Sequence, residues 1–352
     1  MPIPHPNMWW CRWNALKGTG GTILTEADVP QPDLTGKWVI ITGSNNGIGF
    51  EAAKIFAKGG ANLILACRVP PVWEQHPNVA VQQCKELAQS AGHTEAIIEW
   101  WEIDMADLSS IDAFAEEWLS TKRPLDILCN NAGIQPPAAT VMTKDGFEIT
   151  HQINFTSHVL LTHHLLPSLA RSPEPRIVCT TSCHHFLGRY DIAHFNCELG
   201  MIGDPYGNNK LYYQMWITEL HRRLLQNEKY KHITVNGLHP GYINSGIWNN
   251  QTPDAGGSWR FPIFKFLASW LAISPAQGGL AICYAATSPE YGPDPGTQGV
   301  GCTGGKGGGH YLNRIWEAEA MPHCQDEEAR LELWDKVGEE LRLRERGLDE
   351  IK

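Results

Sequence analysis

The chain of 352 residues is short of positive charge: 28 Lys and Arg stand against 38 Asp and Glu, a formal net charge of −10. Nucleic-acid binding needs a basic field to meet phosphates, so no nucleic-acid partner is expected. Cys-x-x-Cys pairs are missing as well. The ten cysteines fall singly, and Cys67, Cys129 and Cys179 sit inside apolar runs, which reads as reduced, buried thiols. With no secretory signal pattern either, the expectation is an intracellular, cytoplasmic protein. No run reaches the roughly 18 apolar residues that a spanning helix requires. The nearest, 261–273, is interrupted by Lys265; it is expected to line or cover an apolar pocket, with peripheral contact to a membrane surface as the alternative. Histidine sets suited to a metal are also lacking. His163-His164 and His184-His185 are adjacent pairs, and adjacent helical residues do not converge on one ion, so no metal is expected.

What the chain does have is alternation between short apolar runs and amphipathic stretches. Residues 38–41 read as a buried strand running into a glycine turn, 50–58 as a helix closed by Gly59-Gly60, and 62–67 as a second strand. Together they make a βαβ unit of the size of a mononucleotide-binding half. Further strands are expected at 96–103, 125–129, 176–180, 233–238 and 309–312. Between them, helices are expected at 81–91, from a capping box at Ser109–Asp112 to Thr121, and over 147–169, 206–227 and 275–287. This spacing predicts a doubly wound α/β fold, a parallel sheet with helices on both faces. Residues 34–312 would form that single dinucleotide-binding (Rossmann) domain, with a substrate loop over 242–274. Residues 1–33 read as a capping N-terminal extension, and 313–352 as a C-terminal tail that is an amphipathic, largely solvated helix from Asp326 onward.

The stretch Thr42-Gly43-Ser44-Asn45-Asn46-Gly47-Ile48-Gly49 puts glycines in the pattern Gly-x-x-x-Gly-x-Gly at a strand-to-helix turn. Such a turn lets backbone N–H groups and the helix dipole meet a pyrophosphate; the plainer alternative is a turn that needs glycine for backbone geometry alone. Arg68 follows the second strand. NAD-specific sites present a carboxylate to the ribose 2′-hydroxyl there, whereas an arginine accommodates a 2′-phosphate, so NADP(H) is favoured over NAD(H). Far downstream, Tyr206 and Lys210 are four apart and share a helix face. A fixed cation beside a phenol favours the phenolate and moves its pKa toward the range of efficient acid–base catalysis, so the two read as a proton-transfer pair.

Further motifs follow in order: Asp104 after the third strand, Asn130-Asn131-Ala132-Gly133 after the fourth, Asn154 beyond it, Ser182 after the fifth, and His239-Pro240-Gly241 after the sixth. With them, residues 34–312 resemble the short-chain dehydrogenase/reductase family, specifically its branch of retinol dehydrogenases and the WW-domain oxidoreductase. The resemblance implies that Tyr206 gives a proton to a carbonyl oxygen or takes one from an alcohol, while Ser182 hydrogen-bonds that oxygen. It also implies that Lys210 lowers the Tyr206 pKa and holds the nicotinamide ribose, and that Asn154 secures a water leading protons toward Lys210. The cofactor seat it implies consists of Gly43, Ser44, Asn45, Gly47, Ile48, Gly49, Arg68, Asp104, Met105, Asn131, Ala132, Gly133, Tyr206, Lys210, Pro240, Gly241, Ile243 and Ser245. Three departures stand out. Thr181 precedes Ser182 where the family more often has serine, which makes it a second candidate for the oxygen-binding hydroxyl; 70–78 look inserted after Arg68; and Ser245 stands in place of the usual threonine.

The loop after the sixth strand carries Tyr242, Ile247, Trp248, Phe261, Phe264 and Trp270, which points to a lipophilic substrate. The expected protein is an NADP(H)-dependent oxidoreductase that moves a hydride between nicotinamide and the carbonyl or alcohol of a ketone, aldehyde, retinoid-, steroid-, polyketide- or terpenoid-like molecule, with secondary metabolism among its settings. Two other classes stay open: a non-redox isomerase or cyclase on the same fold, and a dinucleotide-sensing binding protein, against which the complete set of Asn154, Ser182, Tyr206 and Lys210 argues. Family members pair through helices matching 147–169 and 206–227, and this branch also contains monomers, so the expectation covers both monomer and homodimer.

Overall fold

The computed structural model describes residues 2–17, 22–137, 139–197, 204–243, 272–299 and 304–351. Among them, eight strands form one sheet in the order β3-β2-β1-β4-β5-β6-β7-β8. They are Trp38–Thr42 (β1), Asn62–Cys67 (β2), Ile98–Glu102 (β3), Ile127–Asn130 (β4), Arg176–Thr180 (β5), Thr234–His239 (β6), Tyr311–Asn313 (β7) and Trp316–Ala318 (β8). The first seven run parallel, and β8 turns back antiparallel on β7. The main helices, in chain order, are Met8–Lys17 (α1), Gly47–Lys58 (α2), Pro77–Ser90 (α3), Leu108–Ser120 (α4), Ser157–Leu169 (α5), Pro205–Leu225 (α6), Pro275–Thr287 (α7) and Glu327–Glu340 (α8).

Strand side chains alternate between the two faces of a sheet, and here that divides the core into two layers. Ile40, Ile64, Leu128, Ile177 and Val235 share one layer with residues of α1, α4, α5, α6 and α8. Val39, Ile41, Leu63, Leu65, Cys129 and Val178 share the other with α2, α3 and α7. The helices α2 and α7 touch almost backbone to backbone: a Cβ on Gly279 would lie 2.7 Å from Glu51 Cβ and 2.9 Å from the Ala52 nitrogen. All nine described cysteines are buried, and no two of them are joined in a disulfide. Among the described residues no helix is long and apolar enough to cross a membrane.

Several elements differ from the sequence reading. The strand β8 was not expected, since Trp316 and Glu317 are exposed and form no apolar run; it exists through its pairing with β7. The helix α4 opens earlier than the Ser109 box predicts, because Asp107 takes the cap and accepts the Ser109 N–H at 2.9 Å. The helix expected over 147–169 is interrupted. Ile149–His151 forms one turn, and Gln152–Thr156 widens so that the Ser157 N–H reaches back to the Gln152 carbonyl; only then does α5 run. The tail helix α8 is less solvated than its composition suggests, with Ala329, Leu333 and Val337 buried in the first core layer. At the other end, α1 buries Cys11 and sets Trp10 edge-on to Phe186, ring centroids 5.7 Å apart.

Because β1 lies between β2 and β4, the strand order reverses there. A crevice at the carboxyl ends of the strands follows from that reversal, and it is where open α/β sheets receive ligands.

Candidate active site

The turns after β1 and β4 are laced together across this crevice. The Thr42 hydroxyl accepts the N–H groups of Asn131 (2.9 Å) and Ala132 (3.0 Å), and the Asn131 side-chain amide donates to the carbonyls of Thr42 (3.0 Å) and Gly43 (3.1 Å). Their closeness is what demands glycine. Gly43 has φ +63°, and a Cβ there would stand 2.9 Å from Ala132 Cα; one on Gly49 would stand 2.4 Å from the Asn131 amide nitrogen. Gly47 differs, for at φ +60° a Cβ would meet nothing within 4 Å. Asn46, which begins α2, makes no side-chain cap bond, so the first N–H groups of α2 face this opening without a capping side chain, an arrangement suited to a phosphate. Ile48 borders the opening on the cleft side.

Several other sequence-predicted residues have partners of their own. Ser44 is buried and donates its hydroxyl to the Ile41 carbonyl at 2.8 Å, which fixes the turn from behind. Asn45 and Gln75 exchange amide-to-carbonyl bonds of 2.8 Å each, so the stretch 70–78 folds back onto the turn. Arg68, half exposed just beyond β2, pairs with Glu74 of that stretch at 3.0 Å. Asp104 lies past β3 and accepts the Ala106 N–H at 2.8 Å, with Met105 buried beside it. Ser245 falls in 244–271, outside the described residues, as does most of 261–273. The two ends of the loop after β6 meet at a short bridge between Ile243 and Ile273.

Ser182, Tyr206 and Lys210 line a single cleft together with Asn131, Gly133, Ile134, Pro240, Gly241, Tyr242 and Ile243. Tyr206 sits in the first turn of α6, which Asp204 caps by accepting the Gly207 N–H at 2.8 Å. One turn on, Lys210 is 4% exposed, places Nζ 5.7 Å from the Tyr206 ring centre, and donates to the Thr180 carbonyl at 2.8 Å. Ser182 lines the cleft with Tyr206 and acts to lower its pKa. Thr181 instead gives its hydroxyl to the Leu238 carbonyl at 3.1 Å, and it is Ser182 that acts on the Tyr206 pKa. Asn154 is buried inside the widened turn before α5 and exchanges two 2.8 Å bonds with the Ile134 backbone: Oδ1 accepts its N–H and Nδ2 donates to its carbonyl. Wide turns of this kind are common at functional positions.

Burial raises the Tyr206 phenol above its ordinary pKa, and Ser182 opposes the rise only in part. Burial also draws Lys210 down, to about 8. The lowering of Tyr206 by Lys210 expected from their spacing is therefore not found in the protein alone, because desolvation of the phenolate outweighs it. The consequence is a phenol that keeps its proton at neutral pH.

Sequence reasoning missed several supporting residues. The His184 ring lies edge-on to Tyr206 at 5.5 Å and lines the cleft. His158 places Nε2 2.8 Å from the Ala132 carbonyl; a carbonyl only accepts, so this nitrogen carries the hydrogen and steadies the turn after β4. His185 accepts the Met321 N–H at Nε2 (3.1 Å) and so donates from Nδ1 to the Ser182 carbonyl (2.6 Å). Asn209, between Tyr206 and Lys210, places Oδ1 2.6 Å from His151 Nδ1. The paired histidines thus have separate structural partners, and no group of three or more metal-ligating side chains converges among the described residues.

The short chain dehydrogenase family model matches residues 37–256. Retinol dehydrogenase 14 of Mus musculus is 33% identical over 309 residues, which cover 86% of this chain and 85% of that protein. The WW domain-containing oxidoreductase of Pongo abelii is 32% identical over 323 residues, covering 86% of this chain and 67% of the relative. Among solved structures, an uncharacterized protein from Mycobacterium Paratuberculosis superposes with a TM-score of 0.62 at 25% identity, over 91% of this chain and 98% of that one. The chain therefore belongs to the short-chain dehydrogenase/reductase family of oxidoreductases, in the branch of the retinol dehydrogenases and the WW domain-containing oxidoreductase.

Proposed function

We propose that the protein is an NADP(H)-dependent oxidoreductase acting between the carbonyl and alcohol forms of a lipophilic small molecule, with Tyr206 as general acid and base. The observation that carries this reading is the placing of Ser182, Tyr206 and Lys210 along one cleft, with Lys210 one turn beyond Tyr206 on α6. The uncapped start of α2 beside Gly47 fits a pyrophosphate, and Arg68 suits a 2′-phosphate next to it. Asn131, Gly133, Pro240, Gly241 and Ile243, which line the cleft, would hold the nicotinamide end. When bound, the nicotinamide supplies or takes up the hydride.

In the reducing direction the hydroxyls of Ser182 and Tyr206 donate to the substrate oxygen, and the phenolic proton of Tyr206 passes to it as the alcohol forms. Lys210 stands ready to offset the phenolate and return its proton, since burial leaves the ammonium with a pKa of about 8. Asn154, fixed on Ile134, holds the route by which protons reach Lys210 from solvent. Ile134, Tyr242 and Ile243 give the cleft an apolar side. A lipophilic substrate also agrees with the name of the relative retinol dehydrogenase 14.

The test is NADPH consumption against a panel of lipophilic ketones and aldehydes, with mass spectrometry of the products. Alcohol should appear in step with NADPH oxidation, and Tyr206→Phe should lose roughly 10²–10⁴-fold in turnover while still binding NADPH. Unchanged turnover in that variant would sink the assignment, and product formed without NADPH oxidation would favour the isomerase or cyclase class.

A further inference from the structure

The stretch after β2 is a strap fastened to the turn after β1, to the end of β2 and to β3. Arg68 and Glu74 are 3.0 Å apart, and Asn45 and Gln75 bond to each other in both directions. Next along, the His76 ring meets Trp100 edge-on at 5.1 Å, and His76 Nδ1 accepts the Asn78 N–H at 3.2 Å where α3 begins. Trp100 in turn donates to the Cys67 carbonyl at 2.9 Å, beside Arg68. Gln75 and His76 therefore hold Glu74 at the end of β2.

That is the position at which dinucleotides are told apart, by a carboxylate that accepts from a ribose 2′-hydroxyl or an arginine that meets a 2′-phosphate. This chain brings one of each to the same spot, the arginine from the end of β2 and the carboxylate from the strap. We infer that Glu74 is a specificity-determining residue that narrows the preference for NADP(H) over NAD(H), by occupying Arg68 and by repelling a 2′-phosphate. This rests on the reading of the protein as an NADP(H)-dependent enzyme. A phosphate monoester carries about −1.5 to −2 charges near neutrality, so it must draw Arg68 away from Glu74 and then lie beside the freed carboxylate. A 2′-hydroxyl faces no such contest and can donate to Glu74.

The test measures binding, not turnover. Wild type, Glu74→Gln, Glu74→Ala and Arg68→Gln are titrated with NADPH, NADH, adenosine 2′,5′-bisphosphate and 5′-AMP by calorimetry, with circular dichroism to establish folding. Loss of the carboxylate should tighten NADPH and the 2′,5′-bisphosphate roughly fivefold, the scale of an exposed ion pair. NADH and 5′-AMP should be unchanged or weaker, and Arg68→Gln should weaken NADPH alone. An unchanged ratio of NADPH to NADH affinity in both Glu74 variants overturns the role of Glu74 while the enzyme reading stands. Folded wild type that binds neither dinucleotide overturns both.

Discussion

Ser182, Tyr206 and Lys210 share one cleft, and burial is the largest influence on the proton affinity of both Tyr206 and Lys210. Ser182 is what opposes the upward shift of Tyr206. Ser182→Ala should therefore do two things: lower kcat by roughly 10²–10³, as loss of a donor to a developing oxyanion does, and move the limb of the alcohol-oxidation pH profile that reports Tyr206 ionisation to higher pH. A pH–rate profile checks both, and a reduced rate with an unmoved limb would mean that Ser182 only binds the substrate oxygen. That Ser182, Tyr206 and Lys210 meet in one cleft could be anticipated from the sequence, because Ser182 follows a readable strand and the other two share a readable helix. Their supports could not be. His158 reaches Ala132, His185 reaches Met321 and Asn209 reaches His151, contacts that exist only once distant segments have packed.

At the scale of elements, the closest approach in the second core layer is that of α7 to α2 at Gly279. A methyl there would sit 2.7 Å from Glu51 Cβ, with backbone behind it. Gly279→Ala should destabilise the fold by about 1–3 kcal/mol, as overpacking does, and an unchanged midpoint in urea unfolding would show that the two helices separate freely. The strands β2 and β5 and the helix α7 have the ends that the sequence predicts, because glycine or proline punctuates them: Gly59-Gly60 precedes β2, Pro175 precedes β5, and α7 runs between Ser274-Pro275 and Ser288-Pro289. The interruption before α5 has no such punctuation. Its widened turn holds Asn154 against Ile134, a residue of another loop, so apolar periodicity through 147–169 could not reveal it.

For the whole molecule, both the tail and a set of buried rings tie stability to charge. Glu219 of α6 is fully buried and bound by Arg222 (2.7 Å), Arg223 (2.6 Å) and Arg330 of α8 (3.3 Å). Glu219→Ala leaves Arg330 buried without its counter-ion and should cost about 3–5 kcal/mol in chemical denaturation; a loss below 1 kcal/mol would mean that water reaches the guanidinium. Burial also draws down the pKa of His151, His163, His185 and His221, each to about 4, and of His158 to about 3. On unfolding these rings return to about 6.5, so the unfolded chain binds more protons below that pH and stability falls as pH drops from there toward 4. Thermal melts should show Tm declining steeply between pH 6.5 and pH 5, and a flat profile would contradict the burial of these rings. The cysteines have a use beyond packing. The nine described thiols lie in α1, β2, α3, β4, β5, the turn after Ser182, the segment before α6, α7 and the turn before α8. Alkylation needs an accessible thiolate, so each of these cysteines can be marked only when its own element opens. The order in which they take up label, read by mass spectrometry, would time the opening of the fold piece by piece, with no probe added to the chain.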